Sequence, residues 1–405
     1  MSNPVVYREV KASPGFYLLL GLFAAMMALG AVAFFYMEHA GHHVTGMNNQ
    51  IVWGLPHVFA IFLIVAASGA LNIGSISTVF GKRPYQPIGR LSALLAMSLL
   101  IGGLIVLVLD LGHADRLIIA MTHYNFRSIF AWNIILYNGF LALAGLYVWT
   151  MMDRKLKAIY PYAGFSAFSW RLILTLGTGS IFGFLVARQF YDSAILAPLF
   201  ISMSFAFGLA IFILVLFASY RWTGRELGDA TLNRLRYLLA VFIGAVMFLE
   251  LARHLANLYA PERHGVERFI LSEGGLYTQL FWIGQVLVGG LIPLSLIFCR
   301  KLKNNHIALL LAALLVIVGG FAQVYVILIG GQAYPLVLFP GAEVESSYFD
   351  GQINTYTPTV WEWMLGLGGI GLAMAMVTVG VKVLRFLPES LADWVVEPES
   401  TRRSD

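Results

Sequence analysis

Asp110, His113, Asp115 and Arg116 fall within seven residues at the end of a long apolar run, Val106-Leu-Val-Leu-Asp-Leu-Gly-His-Ala-Asp-Arg116. An ionisable group at the end of such a run is costly to keep and marks a functional site by default. On a helix Asp110 and His113 are three apart and share a face. A carboxylate beside an imidazole takes up and releases protons near neutral pH. The structural alternative is a helix cap, or an ion pair with Arg116. Glu250, Arg253 and His254 repeat the theme, with spacings of three and four that put all three on one helix face. Glu250 is either a proton acceptor tuned by its surroundings or the anion of a structural pair with Arg253. His57 follows Trp53-Gly-Leu-Pro56, with Pro56 tolerated in a first helical turn; this histidine is a packing residue or a ligand. In Pro358-Thr-Val-Trp-Glu-Trp363, Glu362 suits a helix N-terminus. Trp361 and Trp363 suit a membrane interface. Asn133, Arg188 and Gln189 add hydrogen-bonding groups. A flat, apolar quinone headgroup needs such a set, with donors for its carbonyls and an acid or histidine to exchange protons. The same chemistry permits a cation or small-acid transporter.

The elements that position these groups follow from composition. Of 405 residues, 59% are hydrophobic and 12% charged, about half the charged share of a soluble domain. The fold class is therefore all-α, a polytopic integral membrane bundle. The pI near 9.2 comes from basic residues scattered between apolar runs, which argues for no nucleic-acid partner and for membrane lipids instead. A single cysteine, Cys299, excludes an intrachain disulfide and any iron–sulfur cluster ligated by cysteines of this sequence alone. No Cys-x-x-Cys-His is present for covalent haem. No metal-ligand set stands out. The first apolar run is long and lacks a small-residue cleavage pattern, so it reads as a retained helix.

Ten stretches reach the roughly 20 residues a span needs: 15–37, 52–80, 91–112, 129–152, 171–188, 193–220, 236–258, 277–299, 306–330 and 360–384. They form one transmembrane domain, 1–385, followed by a solvated tail, 386–405. With ten spans both termini share a side, and 20 of the 26 Lys and Arg fall on it. The excess predicts that both termini are cytoplasmic. Eight of the nine histidines then lie in the outer half or at its rim: His39, His42, His43, His57, His113, His123, His254 and His264. The inner half holds almost no ionisable residue. The outer loop 331–359 has no Lys or Arg, the aromatics Tyr334, Phe339, Tyr348, Phe349 and Tyr356, and the acids Glu343, Glu345 and Asp350. Its length predicts a docking surface.

Leu109-Asp-Leu-Gly112, Arg127-Ser-Ile-Phe130, Phe248-Leu-Glu-Leu251, Phe281-Trp-Ile283 and Tyr356-Thr-Pro-Thr-Val-Trp-Glu362 resemble the NrfD/polysulfide reductase membrane-subunit family. The ten-span length resembles its hydrogenase-type, HybB-like branch, and the resemblance extends to the membrane subunit of sulfur-metabolism DsrMKJOP complexes. It implies a multi-pass subunit of the bacterial inner membrane that binds a quinone, menaquinone or ubiquinone, near the outer face. It also implies no haem or iron–sulfur cluster within this polypeptide. The implied partners are a periplasmic ferredoxin-like iron–sulfur subunit and, in a DsrMKJOP-like complex, cytochrome c, cytochrome b and further iron–sulfur subunits. The family's acidic positions map onto Asp110, Glu250 and Glu362. Asn133 stands where hydrogenase-type relatives have an acid. The proposed chemical residues are thus Asp110, His113 and Glu250; His57, Asn133, Arg188, Gln189, Arg253, His254, Trp361 and Glu362 would contact the quinone. Three other classes stay open: a di-haem cytochrome b, which needs paired axial histidines deep in facing helices; a transporter, which needs polar groups near the midplane; and a structural anchor without quinone chemistry.

Overall fold

The computed structural model describes residues 5–303, 305–336 and 351–396. Ten long helices run alternately up and down: α1 Pro14–Ala40, α2 Leu55–Val79, α3 Gly89–Leu109, α4 Ile129–Met152, α5 Tyr160–Gly183, α6 Leu196–Thr223, α7 Asp229–Tyr259, α8 Leu276–Phe298, α9 His306–Ala333 and α10 Val360–Val383. Nine of them, among the described residues, are long and apolar enough to cross a membrane. The remaining one, α5, has 24 residues, about 36 Å at 1.5 Å per residue. Its lower apolarity reflects Arg171 and its serines and threonines. The expected fifth span starts at Arg171; in the structure α5 begins at Tyr160, with Pro161 in its first turn, and Arg171 lies in its middle.

α2 is the buried centre and packs against α3, α5, α6, α9 and α10. α2–α5 form one four-helix group and α6–α9 the other. They meet where a Cβ on Gly69 would stand 1.6 Å from the Ser204 carbonyl oxygen, so only glycine lets these two backbones touch. α1 and α10 pack together outside both groups, through a similar approach of Gly30 to Gly368.

Two expectations about the bundle are corrected. Toward the side of the termini almost no ionisable residue is expected, yet one lies buried at the middle of α5. Arg171 is fully buried, donates to Asn72 Oδ1 at 2.8 Å, and stacks over Phe168 and Phe205. A pattern of charged boundaries hides it because its partners are a neutral amide and two rings. Nor is the polypeptide solvated from 386 onward. Phe386, Leu387 and Leu391 are buried, and this segment bridges the N-terminal one at Tyr7 and Pro388. Arg225 clamps both segments through the carbonyls of Arg8, Glu9, Leu387 and Pro388.

Candidate functional site

At the bundle end opposite the termini, α3 stops at Leu109 and Asp110 caps it, its N–H donating to Val106 O at 3.1 Å. Gly112, at φ +72°, turns the backbone away. His113 is therefore thrown outward, two-thirds exposed and 3.7 Å from exposed Asp115. The expected Asp110–His113 pair on one helix face does not form, because the helix ends before it.

Asp110 instead meets His57 of α2. Oδ2 stands 2.8 Å from Nδ1; the aspartate side chain is fully buried and the imidazole 16% exposed. Pro56 and Gly54 start α2, and the Leu55 N–H is fixed at 2.6 Å by the Tyr356 hydroxyl. The register that brings His57 to Asp110 is thus set by the entry turn. Both Asp110 oxygens and His57 Nδ1 are buried without a hydrogen-bond partner, the 2.8 Å approach being an ion-pair contact and not an aligned hydrogen bond, and such groups are costly to leave unmade. His57 Nε2 makes no protein hydrogen bond among the described residues. Beside the dyad an apolar seam runs through Ala33, Met37, Ala60, Val106 and Leu365. Trp53 stands against Phe130 and Phe182.

Glu250, Arg253 and His254 share one face of α7 as their spacing predicts. Glu250 Oε1 lies 2.8 Å from Arg253 and 3.3 Å from His254 Nε2. The second ring nitrogen of His254 meets Glu267 Oε2 at 2.6 Å, and Glu267 Oε1 accepts from Asn257 at 2.7 Å. All five residues are buried. Glu267 is a residue that sequence reasoning missed. It lies in a short helix, His264–Arg268, within a loop with no periodic signal of its own. Asn257, three residues after His254, was the legible half of that contact. Glu250 sits nine residues inside the end of α7, about 14 Å deeper than the end, whereas His57 and Asp110 lie at helix termini. The candidate residues therefore do not share one depth; they form two clusters that exchange no hydrogen bond or ion pair among the described residues.

The other expected residues hold the rim together. Glu362, fully buried, accepts from the Gly46 N–H at 2.9 Å, the Thr359 N–H at 2.7 Å, the Thr359 hydroxyl at 3.2 Å and the Tyr356 hydroxyl at 2.5 Å. Burial, reinforced by that carboxylate, holds the Tyr356 hydroxyl well above the ordinary tyrosine range. Trp361 stacks on Tyr36 with centroids 4.1 Å apart. Arg188 donates to the carbonyls of Gln332 and Gln50 at 3.0 and 3.1 Å, and burial lowers its guanidinium below the usual arginine range. Gln332 in turn takes the N–H groups of Val52 and Trp53. Asn133 bridges α4 to α5 through Gly177 O at 3.2 Å. Gln189 is half-buried and makes no hydrogen bond among the described residues. In the loop expected as a docking surface, Tyr334 packs on Phe269 and Tyr356 is buried. Phe339, Glu343, Glu345, Tyr348, Phe349 and Asp350 lie outside the described residues. Among the described residues no group of three or more His, Cys, Asp or Glu is placed to hold a metal ion.

The donor set around Asp110 and His57 fits a quinone headgroup. It offers two buried carboxylate oxygens and an imidazole Nδ1 without hydrogen-bond partners, beside apolar walls.

Comparison with known proteins gives matches along most of the sequence. The family model described as Polysulphide reductase, NrfD matches residues 43–335, which takes in α2 to α9 and leaves out α1 and α10. The "Hdr-like menaquinol oxidoreductase integral membrane subunit" of Archaeoglobus fulgidus is 28% identical over 94% of this protein and 96% of its own length. The "Menaquinone reductase, integral membrane subunit" of Nitratidesulfovibrio vulgaris is 22% identical over 91% and 89%. A selenate reductase subunit of Mesobacillus selenatarsenatis is 25% identical over 88% of this protein and 91% of its own length.

Proposed function

The chain belongs to the Polysulphide reductase, NrfD family, and from that premise we propose that it exchanges electrons between the membrane quinone pool and an iron–sulfur partner, with headgroup chemistry at the His57–Asp110 dyad. It is a multi-pass protein of the inner membrane and a quinone-interacting subunit of an oxidoreductase complex. The observation that carries the finer reading is the buried 2.8 Å dyad whose two carboxylate oxygens both lack a hydrogen-bond partner. A bound quinol gives up two electrons, which pass to the iron–sulfur partner, and two protons, which leave one after the other through His57 Nε2 to the aqueous side of the dyad. Asp110 holds the imidazole by the Nδ1 contact and balances the charge it gains with each proton, and Asp110 Oδ1 is open to a hydrogen bond from the headgroup. Relatives named as menaquinol oxidoreductase and menaquinone reductase subunits support menaquinone as the quinone.

With Arg171 inside α5, 19 Lys and Arg lie on the side of the termini and 6 on the other, an asymmetry that supports cytoplasmic termini and so a periplasmic dyad. The partner is then a periplasmic ferredoxin-like iron–sulfur subunit at loop 331–359. A DsrMKJOP-like assembly with cytochrome c, cytochrome b and further iron–sulfur subunits is the wider complex proposed. Trp361, Glu362, Arg188 and Asn133 serve this reading by fixing the helix ends around the dyad. His113 and Gln189 are assigned to the surface of that partner contact. Purified complex carrying His57→Leu should assemble, yet its iron–sulfur centres should no longer equilibrate with added menaquinol or menaquinone. Unchanged equilibration, read by electron paramagnetic resonance, would overturn the assignment.

A further inference from the structure

A cavity of about 450 Å³ lies among α6, α7, α8 and α9, and neither His57 nor Asp110 lines it. Its polar atoms come from Glu250, His254, Gln285 and Gln323. All four carry a buried atom without a hydrogen-bond partner: Glu250 Oε2, His254 Nε2, Gln285 Oε1 and Gln323 Nε2. The residues themselves are 5%, 6%, 8% and 2% exposed. Glu250, Gln285 and Gln323 each lie nine or ten residues inside a helix end, so these three share one depth, about 14 Å from the dyad's end of the bundle. Burying four such atoms in a membrane core is costly unless something completes them. The rest of the lining is apolar, with Phe207, Met247 and Phe281 as its inner wall. Leu251, Leu255, Leu258 and Trp282 form its rim and are about half exposed on the outer surface of the bundle. In a bilayer that surface faces lipid, so the mouth opens to membrane-soluble molecules.

Gln285 lies in the middle of a twelve-residue π-helical stretch, Leu280–Leu291. Such stretches are rare, short when they occur, and frequent at functional sites. A run this long widens α8 beside the cavity.

We propose that this cavity is a second binding site for an isoprenoid quinol, distinct from the dyad, with a headgroup hydroxyl held between Gln285, Gln323 and Glu250. The ligand class rests on the reading that this protein handles quinones. One hydroxyl completes two of these atoms at a time: it donates to Gln285 Oε1 or Glu250 Oε2 and accepts from Gln323 Nε2. The volume lies in the range of ligand pockets of this kind, roughly 300–1,000 Å³, and the isoprenoid tail leaves through the lipid-facing mouth. A phospholipid phosphate is disfavoured because the carboxylate of Glu250 lines the cavity, whereas Arg253 does not. No electron or proton step is assigned to the site.

The test uses the assembled complex and a photoreactive azido-menaquinol, with adducts mapped by peptide mass spectrometry. Two adduct regions are expected, one near His57 and one on α7 or α8 between residues 247 and 286. Joint Gln285→Leu and Gln323→Leu substitution should reduce the second at least tenfold and leave the first. Val286→Trp, which fills the cavity without touching its polar atoms, should do the same. In the unaltered complex, unlabelled menaquinol should compete for the second adduct and phosphatidylglycerol should not. An adduct near His57 alone, a second adduct unaffected by the variants, or competition by phospholipid would each overturn this proposal while leaving the dyad assignment standing. Labelling at neither place would overturn both.

Discussion

Asp110→Asn preserves side-chain volume and removes one charge beside His57. The two groups are 2.8 Å apart and the aspartate is sealed from solvent. When His57 takes a proton, the resulting imidazolium faces the carboxylate with charge centres about 4 Å apart, worth about 4 kcal/mol at an effective dielectric constant of 20. Asparagine keeps a carbonyl dipole beside Nδ1, which recovers part of this, so the net rise in the proton-transfer barrier is roughly 3 kcal/mol. At 1.36 kcal/mol per decade that is about a hundredfold, within the range of about 10² to 10⁴ for general acid–base catalysis. The assay is menaquinol-dependent reduction of the partner iron–sulfur centres in purified complex, compared with quinol affinity measured separately. Turnover should fall about a hundredfold with affinity changed less than about tenfold, since the apolar walls are untouched. A variant with turnover within about threefold of the parent would refute the reasoning, as would loss confined to affinity. Because Glu250 lies in a separate cluster, its effect on stability should add to that of Asp110→Asn within about 0.5 kcal/mol; strong coupling between Asp110→Asn and Glu250→Gln in denaturation would argue for one joined site.

Other outcomes follow from the same geometry. Glu362→Ala strips the acceptor from two backbone N–H groups and the Tyr356 hydroxyl, and should cost roughly 3 kcal/mol or more of stability, read as a lower melting temperature in detergent. Tyr356→Phe leaves the carboxylate its other donors and should cost about 1 kcal/mol in the same measurement. Reporter fusions at the C-terminus should be active in the cytoplasm and silent outside; the opposite would reverse every statement of side. In proteoliposomes quinol turnover should change pH only on the side of the dyad, and proton uptake from the terminus side that disappears in Gln285→Leu would sink that expectation.

Helix count and most boundaries were legible because twenty apolar residues in a row have few other uses. α4 spans 129–152 both in the sequence pattern and in the structure. The pattern fails where a charge is taken for a border: Arg171 reads as a start, yet neighbours from α2 and α6 make its middle position tolerable. The site was legible as a set of residue types and not as an arrangement. Spacing correctly joined Glu250, Arg253 and His254, whose partners are local. Spacing also joined Asp110 to His113, wrongly, because a positive-φ glycine shortly after the helix end decides where the histidine goes. The true partner, His57, is 53 residues away in sequence, and only tertiary packing brings it close. Glu267 is invisible for the same reason, and Gln285 is legible only as a polar residue inside an apolar run, able to hold water: such residues declare no partner until their neighbours are known.

α1 and α10 lie outside the region matched by the family model, yet they supply Ala33, Met37 and Leu365 to the seam beside the dyad. The pair proposed to handle protons thus belongs to the region that the family model matches, whereas the seam beside it is built partly from the two helices outside that region. Rates of arrival and departure at the dyad can then be tuned by substitutions in α1 and α10 without altering the groups that do the chemistry. Residence time and reactivity become separable traits, held by different parts of one polypeptide.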